Sequence, residues 1–210
     1  SHLHFVAADV YRQRVIQLGE VPENVYNVGG LGIDNILRLK LLSRSELEKS
    51  LDFKLAKRNL LITFHPVTLE QRTSSDQMKT LLKALEKLND VGLIFTMPNA
   101  DTDGRILFEQ IISFCQSHPM AQAYTSLGQL RYLSCIKHVD GVVGNSSSGI
   151  AEVPSFQKGT INIGDRQRGR LRAASVIDCP TDYTSITQSL HLLFSPSFLA
   201  TLPGARRPYV

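Results

Sequence analysis

Short apolar runs alternate along this chain with segments whose apolar residues recur every three or four positions. The first pattern predicts strands and the second helices. His2–Ala8 reads as a strand and Asp9–Leu18 as a helix, with Asp9 as its N-cap. Val25–Val28 is a short strand, and the Gly29-Gly30-Leu31-Gly32 run after it reads as a hinge or turn. Ile33–Lys40 and Ser45–Ser50 are helical, the latter announced by the capping-box spacing Ser43-x-x-Glu46. Asn59–Phe64 is almost continuously apolar, the mark of a strand buried on both faces. The next helix, Ser75–Leu88, carries Met78, Leu81, Leu82, Leu85 and Leu88 on one face. Strands at Val91–Met97, Ala121–Thr125, Gly141–Gly144, Thr160–Ile163 and Ser175–Ile177 then alternate with helices at Gly104–Gln116, Gln129–Lys137 and from Ser147. A last helix capped by Thr181 runs to Phe194, and the Pro-rich stretch beyond Ser195 has no clear pattern. This alternation predicts an α/β fold: a parallel sheet with helices on both faces.

Ligands of such sheets bind outside the carboxyl ends of the strands, which reduces the search for a site to a few loops. Four loops following apolar strands are rich in polar groups: 65–68, 98–105, 144–149 and 164–170. Gly144-Asn145-Ser146-Ser147-Ser148-Gly149 is the sharpest. Small residues let backbone N–H groups approach an anion, and three consecutive hydroxyls exceed what a helix cap requires. It lacks the lysine of a Walker A loop. Ser148 also stands where a G-x-S-x-G nucleophile motif needs its second glycine. Glu152 could accept hydrogen bonds from a ribose diol, or be a surface glutamate favoured by the helix dipole. Arg166, Arg168 and Arg170 offer planar forks for phosphate, of which one at most is expected to touch ligand. Arg105 is a similar candidate. His65 could contact phosphate, act as acid or base, or simply cap its loop.

Composition narrows the classes. With 42% hydrophobic and 20% charged residues over 210 positions, the chain is globular. No run approaches the ~20 apolar residues of a membrane span, and no signal peptide opens the chain. The net charge of +4 is mild, and no basic stripe with interleaved aromatics points to nucleic acid. Three widely spaced cysteines argue against a disulfide framework and fit a reducing cytoplasm. Neither C-x-x-C nor H-E-x-x-H is present, and His2 and His4 alone make a poor metal site, so no metal or cofactor is expected.

Taken in order, several stretches resemble the C-terminal half of the hydrolysing UDP-N-acetylglucosamine 2-epimerases. They are Arg14–Gly19, Phe64-His65-Pro66-Val67-Thr68, Pro98-Asn99-Ala100-Asp101, Gly144–Gly149 with Glu152-Val153, and Ile161–Gly164 with Arg166-Gln167 and Gly169-Arg170. The resemblance implies one half of a GT-B-type pair of Rossmann-like domains. Residues 1–28 would be the closing strand and helix of a first domain, plus linker, and residues 29–210 the UDP-binding domain. It implies that Ser146 and Ser147 hold the diphosphate and Glu152 the ribose. Asn99, Asp101, Arg105 and Arg170 would line the sugar-diphosphate side, with His65 the catalytic candidate. The implied reaction eliminates UDP from UDP-N-acetylglucosamine, and water then adds to the glycal with inversion at C2 to give N-acetylmannosamine. The family is often dimeric or tetrameric, which implies a homo-oligomer, and it works in sialic acid synthesis.

The family's principal acid/base carboxylates lie in its first domain, and its usual C-terminal helix has no counterpart here. The expectation is therefore that these 210 residues alone bind UDP weakly and turn over nothing. His-Pro-Val-Thr favours the hydrolysing branch, since the non-hydrolysing branch tends to carry His-Arg there. A non-hydrolysing epimerase and a non-catalytic nucleotide-sugar-binding module remain as alternatives.

Overall fold

A computed structural model describes residues 1–66, 71–98, 102–205 and 208–209. The chain opens with a two-stranded parallel sheet, β1 (His4–Val6) and β2 (Val25–Asn27), joined through helix α1 (Asp9–Gln17). Asp9 is not the cap expected there. Ala8 holds that position without a side-chain bond, and the Asp9 carboxylate instead accepts from Asn27 Nδ2 at 3.0 Å, tying the helix to β2. Helices α2 (Leu31–Arg38) and α3 (Arg44–Leu51) follow, and the Ser43/Glu46 capping box forms as its spacing predicts.

The main sheet is wholly parallel. Its strands are β3 (Arg58–Thr63), β4 (Val91–Thr96), β5 (Ala121–Tyr124), β6 (Gly141–Gly144), β7 (Gly159–Ile163) and β8 (Val176–Cys179), in the order β5-β4-β3-β6-β7-β8. Alternate residues of its apolar strands serve opposite faces. Leu60, Ile62 and Phe95 pack under α4 (Gln71–Leu85), α5 (Thr102–Ser117) and α8 (Tyr183–Leu193), whereas Leu61, Ile94 and Val142 pack under α3 and α6 (Gly128–His138). The predicted face of α4 is buried through Met78, Leu81, Leu82 and Leu85. This is the fold expected from the alternation, helices on both faces of a parallel sheet.

Three local details differ. The helix from Ser147 is a single turn, α7 (Ser148–Ala151), followed by a 3-10 turn at Val153–Phe156 that contains Pro154. A proline cannot donate the next helical hydrogen bond, so the turn tightens instead of continuing. Asp182, not Thr181, caps α8, accepting from Ser185 N at 2.9 Å. Beyond Ser195, where no pattern was read, α9 (Pro196–Thr201) forms with Ser195 as its cap and buries Phe198.

Candidate functional site

From β3 and β6 the chain adds successive strands toward opposite edges of the sheet, so the topological switch point lies between these two neighbours. Their ladder ends at the pair Thr63–Gly144. Gly144 adopts φ +145°, and a Cβ there would fall onto the Thr63 carbonyl, so only glycine fits the turn. Past this point a side chain takes over the pairing. Asn145, 1% exposed, accepts from His65 N through Oδ1 and donates from Nδ2 to His65 O, each at 2.8 Å. Its own carbonyl accepts from Arg166 Nη1 at 3.1 Å and from the buried Gln167 Nε2 at 2.8 Å. One buried asparagine thus ties together three of the four loops singled out from sequence.

Within the serine loop the hydroxyls have separate tasks. Ser146 Oγ accepts from Ser148 N at 3.4 Å, so it acts as a local turn cap. Ser148 Oγ and Thr63 Oγ1 are buried without a well-formed hydrogen bond, and both neighbour the Tyr132 hydroxyl. Burial pushes that phenol up to about 12, against the pull of the two hydroxyls, so it stays protonated. Ser147 faces outward into a cavity of about 580 Å³.

That cavity brings together Ser147, Ser148, Glu152, Arg168 and Arg170 against a wall built from Gly30–Ile33, Tyr11 and Tyr209. Glu152 does not stand in the first turn of a long helix, as its surface-glutamate reading required. It closes the single-turn α7, is half-buried, and packs against α2, where a Cβ on Gly32 would lie 2.7 Å from its Oε1. Arg168 and Arg170 make no side-chain hydrogen bond or ion pair among the described residues. Two free guanidinium groups, a hydroxyl and a single carboxylate therefore share one opening. A second void of about 660 Å³ beside β7 and β8 is less suited to a ligand. Its arginines are already committed, Arg172 to Asp178 at 2.9 Å and Arg166 to the Asn145 carbonyl.

The structure thus assembles Ser147, Glu152 and Arg170 from the sequence candidates. Of the three loop arginines, Arg168 also lines this cavity, whereas Arg166 lines the second void. His65 lines neither void and is tied to the serine loop through Asn145. Arg105 is turned along the surface of α5, its Nε 3.6 Å from Glu109 Oε1 with both side chains mostly exposed. Asn99 and Asp101 lie outside the described residues. His4, considered for a metal, pairs through Nε2 with Glu20 at 2.9 Å. The sequence reading missed Asn145 as a functional position, the glycine run as a cavity wall, and Tyr11 and Tyr209. The glycines carried a usable signal, because Gly30 and Gly32 flank the start of a helix.

The family model for UDP-N-acetylglucosamine 2-epimerase matches residues 1–210. The chain belongs to this family. Among the chain's relatives, a GDP/UDP-N,N'-diacetylbacillosamine 2-epimerase (hydrolyzing) of Campylobacter jejuni is 42% identical over 94% of this chain and 51% of its own length. The polysialic acid biosynthesis protein P7 of Escherichia coli is 40% identical over 100% of this chain and 53% of its own. The chain thus spans about half the length of these curated relatives. In three dimensions it overlays the S. aureus MnaA–UDP co-structure with a TM-score of 0.76 at 17% identity, covering 100% of this chain and 55% of that one. It overlays the Neisseria meningitidis UDP-GlcNAc 2-epimerase bound to UDP-GlcNAc with a TM-score of 0.71 at 14% identity, covering 57% of that chain. The chain's fold is thereby one Rossmann-like half of a GT-B-type architecture.

Proposed function

We propose that this chain is the UDP-holding part of a hydrolysing UDP-N-acetylglucosamine 2-epimerase. The observation that carries the reading is the cavity beside the switch point, where Ser147, Glu152, Arg168 and Arg170 converge. A nucleoside diphosphate offers what this set can bind: two phosphates for the guanidinium groups and the serine, and vicinal hydroxyls for the carboxylate. In the reaction, the C2 proton is abstracted and the C1–O bond to UDP breaks, leaving a glycal. Water then adds its hydroxyl to C1 and a proton arrives at C2 from the opposite face, giving N-acetylmannosamine. As the C1–O bond breaks, negative charge grows on the diphosphate, and Arg168, Arg170 and Ser147 would stabilise it there. Asn145 would hold His65 toward the same edge as a candidate acid or base. Residues 1–28 would complete a first domain that carries the principal acid/base carboxylates, and the whole protein would be a homo-oligomer.

The 42% identity to a hydrolysing diacetylbacillosamine epimerase supports a second reading of the sugar alone, a 2,4-diacetamido hexose in place of N-acetylglucosamine. UDP titrated calorimetrically into the 210-residue chain tests the first part. Saturable binding is expected, weakened about tenfold or more by Arg170→Ala and less by Ser147→Ala, since hydrogen bonds to charged groups are the stronger. Absence of binding at millimolar UDP would refute the nucleotide reading. The isolated chain should release no UDP from UDP-N-acetylglucosamine, and steady release would overturn the assignment of the acid/base groups to another domain.

A further inference from the structure

The arginine loop is held from behind by two tyrosines from opposite ends of the chain. Leu171 N donates to Tyr11 Oη at 3.2 Å, and Tyr209 Oη donates to Leu171 O at 3.2 Å. The two hydroxyls are 3.0 Å apart. Because the Tyr209 proton is directed to Leu171 O, Tyr11 must be the donor between the phenols. The result is a closed ring in which each group donates once and accepts once, and both backbone groups of Leu171 are used. Tyr209 is only 7% exposed, and its ring packs with Ile33 and Ile150, beside Ala7 and Leu171. Its carbonyl also accepts from Gly30 N at 2.9 Å. Burial, reinforced by the Tyr11 hydroxyl, raises the Tyr209 phenol well above its ordinary value, so the Tyr209 hydroxyl keeps the proton it gives to Leu171. The next residue toward the cavity is Arg170, whose guanidinium makes no hydrogen bond or ion pair among the described residues.

We infer that Tyr11 and Tyr209 are positioning residues, which through Leu171 set Arg168 and Arg170 at the cavity and make anion binding depend on the β1–α1–β2 unit. The inference rests on the nucleotide reading above. Leu171 is one residue from Arg170, so a backbone pinned at both its N–H and its C=O restricts where the guanidinium can go. Binding energy that would otherwise order this loop is then available to the ligand. The coupling is reciprocal: an anion in the cavity should tighten the contact of α1 with the rest of the protein.

The test uses Tyr11→Phe and Tyr209→Phe, singly and together, in the wild-type and Arg170→Ala backgrounds. UDP and inorganic pyrophosphate are titrated calorimetrically, and amide exchange is followed at Leu171. Phenylalanine keeps both rings in their packing, and the melting temperature of each variant checks the fold. Each single change breaks two of the ring's three bonds but only one of the two anchors on Leu171. It should weaken UDP by about threefold to tenfold, the worth of that one anchor, and speed exchange at Leu171. The double variant frees both the N–H and the C=O of Leu171, so it should lose more than either single but less than their sum, because the bond between the phenols is counted in both. In the Arg170→Ala background the tyrosine changes should lose most of their effect, which a merely structural role would not predict. Single variants that leave both affinity and Leu171 exchange unchanged would overturn the positioning role while the nucleotide reading stands. So would losses of equal size without Arg170. A wild-type chain that binds neither UDP nor pyrophosphate would overturn the nucleotide reading, and this inference with it.

Discussion

Replacing Asn145 with alanine removes two hydrogen bonds at once and leaves the N–H and the carbonyl of His65 without that partner. A backbone group stripped of its partner in a buried place costs about 1–3 kcal/mol. His65 is half-buried, so water can reach part of the gap, and the lower half of that range applies to each group. The two groups together give an expected loss of about 2–4 kcal/mol. For a chain of this size, that lowers the melting temperature by about 5–15 °C. Calorimetric melting measures it, and amide exchange at His65 should accelerate in parallel. Asn145→Asp separates shape from bonding, since the carboxylate keeps the acceptor for His65 N but faces His65 O without a proton to give. It should be destabilised comparably at neutral pH and recover as acid protonates the new carboxyl. An alanine variant that melts within 2 °C or so of wild type, with His65 exchange unchanged, would refute the claim that this amide joins the loops.

Gly32→Ala would put a Cβ 2.7 Å from Glu152 Oε1 and displace the carboxylate. UDP affinity should fall about tenfold by calorimetry while the melting temperature barely changes, since alanine is the better helix former. Acid should destabilise the protein through Glu46 and Asp182. Both carboxylates lie below their ordinary values of 4.5 and 3.8, held down by the hydroxyls and amides of Ser43 and Ser185 respectively. Their contribution is complete above those values and disappears as the pH falls through the lowered ones, so a Glu46→Gln/Asp182→Asn variant should show a shallower loss of melting temperature below about pH 4.5. Burial raises Cys115 to about 11 and Cys135 to about 12. In the native protein at pH 8 both should react with iodoacetamide at least about a hundredfold more slowly than an ordinary exposed thiol.

Much of the fold was legible because burial on both faces leaves apolar runs such as Leu60–Phe64, which no exposed strand would carry. The capping box at Ser43 was equally readable, since both partners lie within one turn. The choice of Asp182 over Thr181 was not, because adjacent residues can both cap and only the direction of the incoming chain decides. Helix α9 was missed because Pro196 looks like a breaker, although at the first helical position it is well tolerated. At the site, Ser147, Glu152 and Arg170 could be named because their residue types carry the chemistry. Tyr11 and Tyr209 could not, since 198 positions separate them and neither belongs to a motif. Asn145 was visible only as a loop residue, since its role comes from the Thr63–Gly144 register.

The junction of β3 with β6 also bears on how the molecule is assembled in time. Each other pairing in the main sheet joins strands that are consecutive along the chain, whereas His65 meets Asn145 across 80 residues. The halves β3-β4-β5 and β6-β7-β8 can each form from nearer contacts, and the long closure between them is the slow event. The ligand cavity does not span that seam: its lining comes from Ala7, Tyr11, Gly30–Ile33 and Tyr209 on one wall and from the loops after β6 and β7 on the other, so it comes into existence when the opening segment docks on the β6-β7-β8 half. A ligand bound there should therefore leave the closure of β3 on β6 almost untouched and act on the reverse of that docking, slowing the release of the opening segment.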